Sequence, residues 1–278
     1  MRMIRNTLAQ AGVPREVAYL PIIESKFQVS ARSRAGATGM WQFMPSTGRR
    51  YGLQIDRCVD ERRDPALSTR AAARYLAELY EHFADWHLAL AAYNAGEGRI
   101  KRIMRENRVS DYWTMVDRGL LPRETAHFVP RLLAVATIAE HAGAFGLATP
   151  QSWPEEDSTL TITVDAPISL KSVAELAGLD RATVEALNPA LQCKRVPPGG
   201  YGVRLPRRNQ ATFTAAYAAL DPRTILRGDS LHRVRRGENP GSIARLYGVS
   251  VQDLMVENGI SNPRRLRVDT ELRIPDPI

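Results

Sequence analysis

Cysteine is scarce in this chain of 278 residues: Cys58 and Cys193 are the only two, far apart in sequence. That spacing suggests neither a CxxC site nor a disulfide framework, and it neither establishes nor excludes an oxidising compartment. No stretch approaches the ~18 uninterrupted apolar residues of a membrane-spanning helix. The opening "MRMIRNTLAQAGVP" lacks the apolar segment and small-residue cleavage site of a secretion signal, so an export signal is not expected within these residues. There is no long polybasic block and no recognisable nucleic-acid readout element. Nucleic acid is therefore not an expected partner, despite a net charge of +8 and a pI near 9.8. What remains is a globular composition, 44% hydrophobic and 24% charged, long enough for a proper core plus one or two minor domains. The basic residues are mostly scattered arginines, a balance that favours an anionic polymer or surface.

Up to about residue 148 the pattern is helical. "DPALSTRAAARYLAELYEHF" opens with an Asp-Pro start signal at Asp64, "DWHLALAAYNAG" stops at Gly96, and "ETAHFVPRLLAVATIAEHAG" runs to Gly143. Residues 149–158 read as a polar, proline-containing linker. Beyond it, two stretches align at an offset of 70 residues: Val164 with Val234, Ser172 with Ser242, Ala174 with Ala244, Leu176 with Leu246, Gly178 with Gly248 and Asn188 with Asn258. Each copy predicts strand, helix, helix, strand, with the two strands pairing under both helices. The expected division is a helical domain over 1–148, a linker over 149–158, modules over 159–207 and 229–278, and a helical connector over 208–228.

One acid stands out. In "LPIIESKF", Glu24 lies on the same apolar stripe as Val17, Leu20 and Phe27, within a helix predicted to start near Pro14 and to bend or open at Pro21. A carboxylate on a core-facing stripe is costly unless it is paired, protonated or facing a cleft. Lys26 or Arg15 could supply a partner. Three further stretches combine glycine, amides and aromatics: "SRAGATGMWQFMP", "AAYNAGEGR" and "ETAHFVPRLL". Taken singly they read as core packing or helix caps; taken together, around one acid, they read as a site. Asp56, Asp60 and Asp64 are possible second acids, with loop or cap roles the simpler expectation.

Residues 14 to about 145 resemble the lytic transglycosylase domain of the soluble-lytic-transglycosylase type, related to goose-type lysozymes. The likeness rests on Glu24-Ser25, on "GMWQ" at Gly39 to Gln42 and on "AYNAG" at Ala92 to Gly96. The 229–278 stretch resembles a LysM peptidoglycan-binding module, and 159–207 a degenerate copy. The fold class implied is an all-α lysozyme-like domain followed by small βααβ modules. In three places the chain departs from the family pattern: Phe128 stands where many relatives have Tyr, Val268-Asp269 where LysM modules usually have Pro-Gly, and Glu238-Asn239-Pro240 where they usually have Asp-Thr-Leu.

The resemblance implies a peptidoglycan lyase without metal or cofactor. Glu24 would protonate the N-acetylglucosamine oxygen, then act as base on the 6-hydroxyl of N-acetylmuramic acid, which closes a 1,6-anhydro ring. Ser25, Ser33, Gln42, Tyr93 and Asn94 would orient the acid or hold sugars, with Met40 and Trp41 as cleft wall. Glu238, Asn239 and Asn258 would contact glycan in the LysM module. A lysozyme-like hydrolase and a non-catalytic wall-binding protein are the alternatives. The implied partner is the glycan strand of peptidoglycan, met by a monomer in the periplasm or cell envelope. Membrane association would need an anchor outside this sequence.

Overall fold

The computed structural model describes residues 1–147, 158–166, 168–197, 199–220, 231–247 and 249–275. The chain divides into two compact units, one formed by Met1–Ile55 and Glu61–Trp153, the other by Asp56–Asp60 and Pro154–Ile278.

The first unit is helical: α1 Arg2–Gln10, α2 Leu20–Ser25, α3 Pro45–Arg50, α4 Pro65–Phe83, α5 Trp86–Ala95, α6 Glu97–Asn107, α7 Tyr112–Asp117 and α8 Arg123–Glu140, with short 3-10 turns between some of them. The starts follow from capping chemistry. Asp64, Asp85 and Asp111 each accept backbone N–H bonds from the first turn of α4, α5 and α7. Helix α5 is the hub: all of Leu88 to Ala92 is buried, and α4, α6 and α8 pack against it. An element apolar on every side suits only that central place. The helix expected from Pro14 instead divides into a 3-10 turn, Arg15–Tyr19, and α2. The division falls between Tyr19 and Leu20, one residue ahead of the expected Pro21, which sits in the first turn of α2 where its missing N–H is tolerated. The last long helix stops at Glu140, ahead of the expected Gly143, and a 3-10 turn, Ala142–Phe145, follows.

The second unit holds the two repeats. In the first, β1 Thr159–Val164 pairs antiparallel with β2 Tyr201–Pro206, flanked by α9 Leu170–Ala177 and α10 Arg181–Leu187. In the second, β3 Leu231–Arg233 pairs antiparallel with β4 Glu271–Arg273, flanked by α12 Pro240–Tyr247 and α13 Val251–Glu257. The aligned asparagines explain themselves. Asn188 Nδ2 donates to Val184 O and Arg204 O while its Oδ1 accepts from Arg204 N. Asn258 makes the same three bonds with Leu254 and Arg273. Each side chain ties the end of the second helix to the closing strand.

Two expectations change here. The connector helix, α11 Gln210–Ala218, belongs to the first module, whose core its Phe213 enters fully buried. The rest of the connector from 221, the linker up to 157, and Gly248 lie outside the described residues. The cysteines, for which no pairing was suggested, form a disulfide with a Cα separation of 4.8 Å across 135 residues of sequence. It fastens Asp56–Asp60 into the first module. Val59 is fully buried in that module's core and bridges to Leu191, Asp60 N donates to Ala190 O, and Gln192 N donates to Cys58 O.

Candidate active site

Helix α2 is short because its last turn runs into two left-handed residues, Lys26 at φ 56° and Phe27 at φ 62°. Glu24 therefore sits in the final turn, partly exposed. Among the described residues its carboxyl makes no hydrogen bond or ion pair. The partners suggested by the sequence do not reach it; Arg15 pairs with Glu16 and Glu140. Burial, and secondarily the negative charge of Glu124, push its pKa up to about 7. A carboxyl with a pKa near neutrality is suited to give up a proton and, once ionised, to take one back.

The neighbouring residues hold a backbone loop in place. Ser25 is buried, and its hydroxyl donates to Met40 O at 2.9 Å, with Pro21 O a second acceptor at 3.2 Å. Tyr93 OH donates to Trp41 O at 2.7 Å. Gln42, itself at φ 49°, donates from Nε2 to Gly39 O at 2.7 Å. Buried Arg62 donates to Gly36 O and Phe43 O at 2.9 and 3.0 Å. Gly39 cannot be replaced, because a Cβ there would lie 1.8 Å from Arg62 O. The loop from Gly36 to Phe43 is thus nailed down carbonyl by carbonyl. Tyr93 is close enough to Glu24 for the acid's charge, after burial, to help raise the phenol's pKa.

Asn94 joins α5 to α8. Its Oδ1 accepts from Thr125 Oγ at 2.8 Å and its Nδ2 donates to Glu124 Oε1 at 3.2 Å, which fixes the amide's orientation. Glu24, Ser25, Gln42, Tyr93 and Asn94 are thereby linked through one network of loop carbonyls, side-chain bonds and charge. Other expected site residues lie elsewhere or do other work. Met40 and Trp41 are 3% and 0% exposed, and Trp41 Nε1 donates to Thr69 Oγ; these side chains are core, and the expected cleft wall is corrected accordingly. Ser33 is exposed and accepts from Ala37 N, closing a turn. Asp56 and Asp64 accept backbone N–H bonds in a loop and at a helix start.

The residues expected to meet glycan in the second module each make hydrogen bonds within the protein. Glu238 accepts from Arg235 N and bonds His232 Nε2, both at 2.8 Å. Asn239 caps α12 by accepting from Ser242 N, and Asn258 is occupied as described above. Sequence reasoning missed Arg62, Thr69, Glu124 and Thr125. The glutamate and threonine at 124 and 125 stood in a stretch already singled out, whereas nothing marked Arg62. Among the described residues no group of three or more His, Cys, Asp or Glu is placed to hold a metal.

Residues 2–116 match the family described as "Transglycosylase SLT domain", 158–222 "Lytic transglycosylase MltD, LysM-like domain" and 232–275 "LysM domain". The chain is 32% identical over 273 residues to membrane-bound lytic murein transglycosylase D of Escherichia coli, covering 93% of this chain and 59% of that protein. It is 35% identical over 141 residues to peptidoglycan transglycosylase gp16 of Escherichia phage T7, covering 49% of this chain and 10% of that one. A solved structure of an inactive mutant of lytic transglycosylase Slt from Pseudomonas aeruginosa superposes with a TM-score of 0.44 at 26% identity, over 54% of this chain and 25% of that one.

Proposed function

Because this chain carries an SLT-type lytic transglycosylase domain followed by LysM domains, we propose that it is a peptidoglycan lyase. It spans 59% of the length of the relative that it matches along almost all of its own. One observation carries the proposal: Glu24, unpaired among the described residues and with its pKa raised to about 7, sits beside a loop held rigid at its carbonyls.

In this reading Glu24 gives its proton to the bridging oxygen between N-acetylmuramic acid and N-acetylglucosamine as that bond breaks. The carboxylate then removes the proton of the muramic 6-hydroxyl, whose oxygen closes on the anomeric carbon. Glu24 ends as it began, and no water is consumed. Holding the nucleophile within the substrate supplies it at high effective molarity. Ser25, Tyr93 and Arg62 act by positioning the Gly36–Phe43 loop; Gln42 and Asn94 remain candidates for sugar contact. The LysM modules would hold glycan. The disulfide suits an oxidising compartment such as the cell envelope. Among the described residues no helix is long and apolar enough to cross a membrane.

Glu124 favours a second reading. A second carboxylate whose charge reaches Glu24 is what a hydrolase of the lysozyme kind would use. Digestion of purified sacculi, with mass spectrometry of the products, separates the two. The lyase gives anhydro ends lighter by one water per cut, and a Glu124→Gln variant still forms them. Reducing ends alone would overturn the lyase assignment.

A further inference from the structure

The second module contains a cavity of about 520 Å³ beside the end of β3, lined in part by Arg233, Arg235, Arg236, Tyr247, Val268 and Asp269. Its volume is within the range of small-ligand sites. Its charge is lopsided: the lining holds three arginines and one acid, and that acid, Asp269, pairs with Arg233 at 3.0 Å. The side chains of Arg235 and Arg236 are exposed and make no hydrogen bond or ion pair among the described residues. Behind them the floor is fixed. Buried His232 bonds Tyr247 OH at 2.9 Å through Nδ1 and Glu238 at 2.8 Å through Nε2.

At the aligned place the first module differs in both charge and covering. The positions aligned with Arg235, Arg236 and Tyr247 are Asp165, Ala166 and Ala177. Two of these are covered by α11: Ala166 N donates to Tyr217 OH at 3.0 Å, and Asn209 at the helix start donates to Ala177 O at 2.9 Å. Where one copy carries an acid and is covered by its own helix, the other is open and cationic. Val268-Asp269, the departure from the usual Pro-Gly, lines the open one.

We propose that this pocket binds a carboxylate on the peptide branches of the wall polymer, with Arg235 and Arg236 as the charged ligands and the Tyr247 ring as an apolar wall. The inference rests on the reading of the chain as a peptidoglycan enzyme. Guanidinium groups suit the ligand because they grip planar carboxylates through paired, charge-assisted bonds. The second module would then distinguish peptide-bearing wall from bare glycan.

The test is co-sedimentation of the full chain, carrying Glu24→Gln so that the wall is not consumed, with two preparations of purified sacculi. One is native; the other has its carboxylates converted to neutral amides. The expected result is tighter binding to native sacculi. Arg235→Gln with Arg236→Gln should weaken that binding about fivefold, and by less as salt rises. The same pair should leave binding to amidated sacculi unchanged, and Arg235→Lys with Arg236→Lys should restore much of the loss. Equal binding of parent and variant to native sacculi overturns the inference, as does an equal loss on both preparations. If the parent binds neither preparation, the wall-binding reading itself falls with it.

Discussion

Glu24 in the helical unit and Glu238 in the second module are both glutamates in partly buried surroundings, and their chemistry is opposite. Among the described residues no donor is hydrogen-bonded to Glu24, and burial raises its pKa to about 7. Glu238 accepts from Arg235 N and bonds His232, and these two hydrogen bonds, the backbone one first, hold its pKa below the usual carboxylate range. The difference lies in the donors. A carboxyl surrounded by N–H groups is committed to being an anion and a strut, whereas one kept from donors retains its proton and can spend it. The same residue type is thus poised to exchange a proton in one region and serves as a strut in the other.

The sharpest way to break this contrast is to remove each carboxyl's charge and compare. Glu24→Gln should lower the turnover of sacculi by roughly 10³-fold, the scale of a lost general acid, with little change in wall binding. Turbidity loss and co-sedimentation of the same protein check it. A variant retaining more than a tenth of the wild-type rate would mean that Glu24 is not the proton donor.

The second consequence concerns stability. A glutamate raised from 4.5 to about 7 binds more protons folded than unfolded between those values. Stability therefore falls as pH rises through that window, and the cost above pH 7 is at most about 3 kcal/mol at 1.36 kcal/mol per unit. Glu24→Gln should be the more stable protein at pH 8 and nearly equal to wild type at pH 4.5, as urea denaturation at the two pH values would reveal. Equal stability at both would show that Glu24 is not desolvated.

Glu238 runs the other way. Its lowered pKa makes it stabilising above its unfolded value, and that contribution disappears as pH falls through the folded one. Glu238→Gln should leave catalysis on short soluble glycans unchanged. It should speed amide exchange in β3 and β4 at pH 7, with the difference from wild type shrinking toward pH 3. A loss of catalysis with no change in exchange would reverse the roles assigned to the two acids.

Much of this was legible from the chain. The acid on an apolar stripe pointed to Glu24, and Asp64 and Gly96 marked a helix start and a helix end where the structure has them. The repeat was visible because a structural demand, an asparagine tying helix to strand, had kept its spacing. Asn258 shows what the chain alone withholds, since a polar residue at a helix end looks alike whether it faces a ligand or backbone, and here its amide is bonded to backbone. Met40 and Trp41 failed for the converse reason: an apolar pair beside a glutamine fits a cleft wall or a core, and only burial decides. Arg62 was invisible because its partners are carbonyls, which carry no sequence identity. The disulfide was invisible because chain separation says nothing about proximity.

The five residues from Asp56 to Asp60 make the second unit a poor candidate for transplantation. A gene fragment starting after the linker would encode both repeats yet omit Val59, which fills the first one's interior, and Cys58, which fastens it. Such a fragment would carry a hole and an orphan thiol at Cys193. Shuffling at the apparent border would therefore select against itself, so two units with this feature should be inherited together.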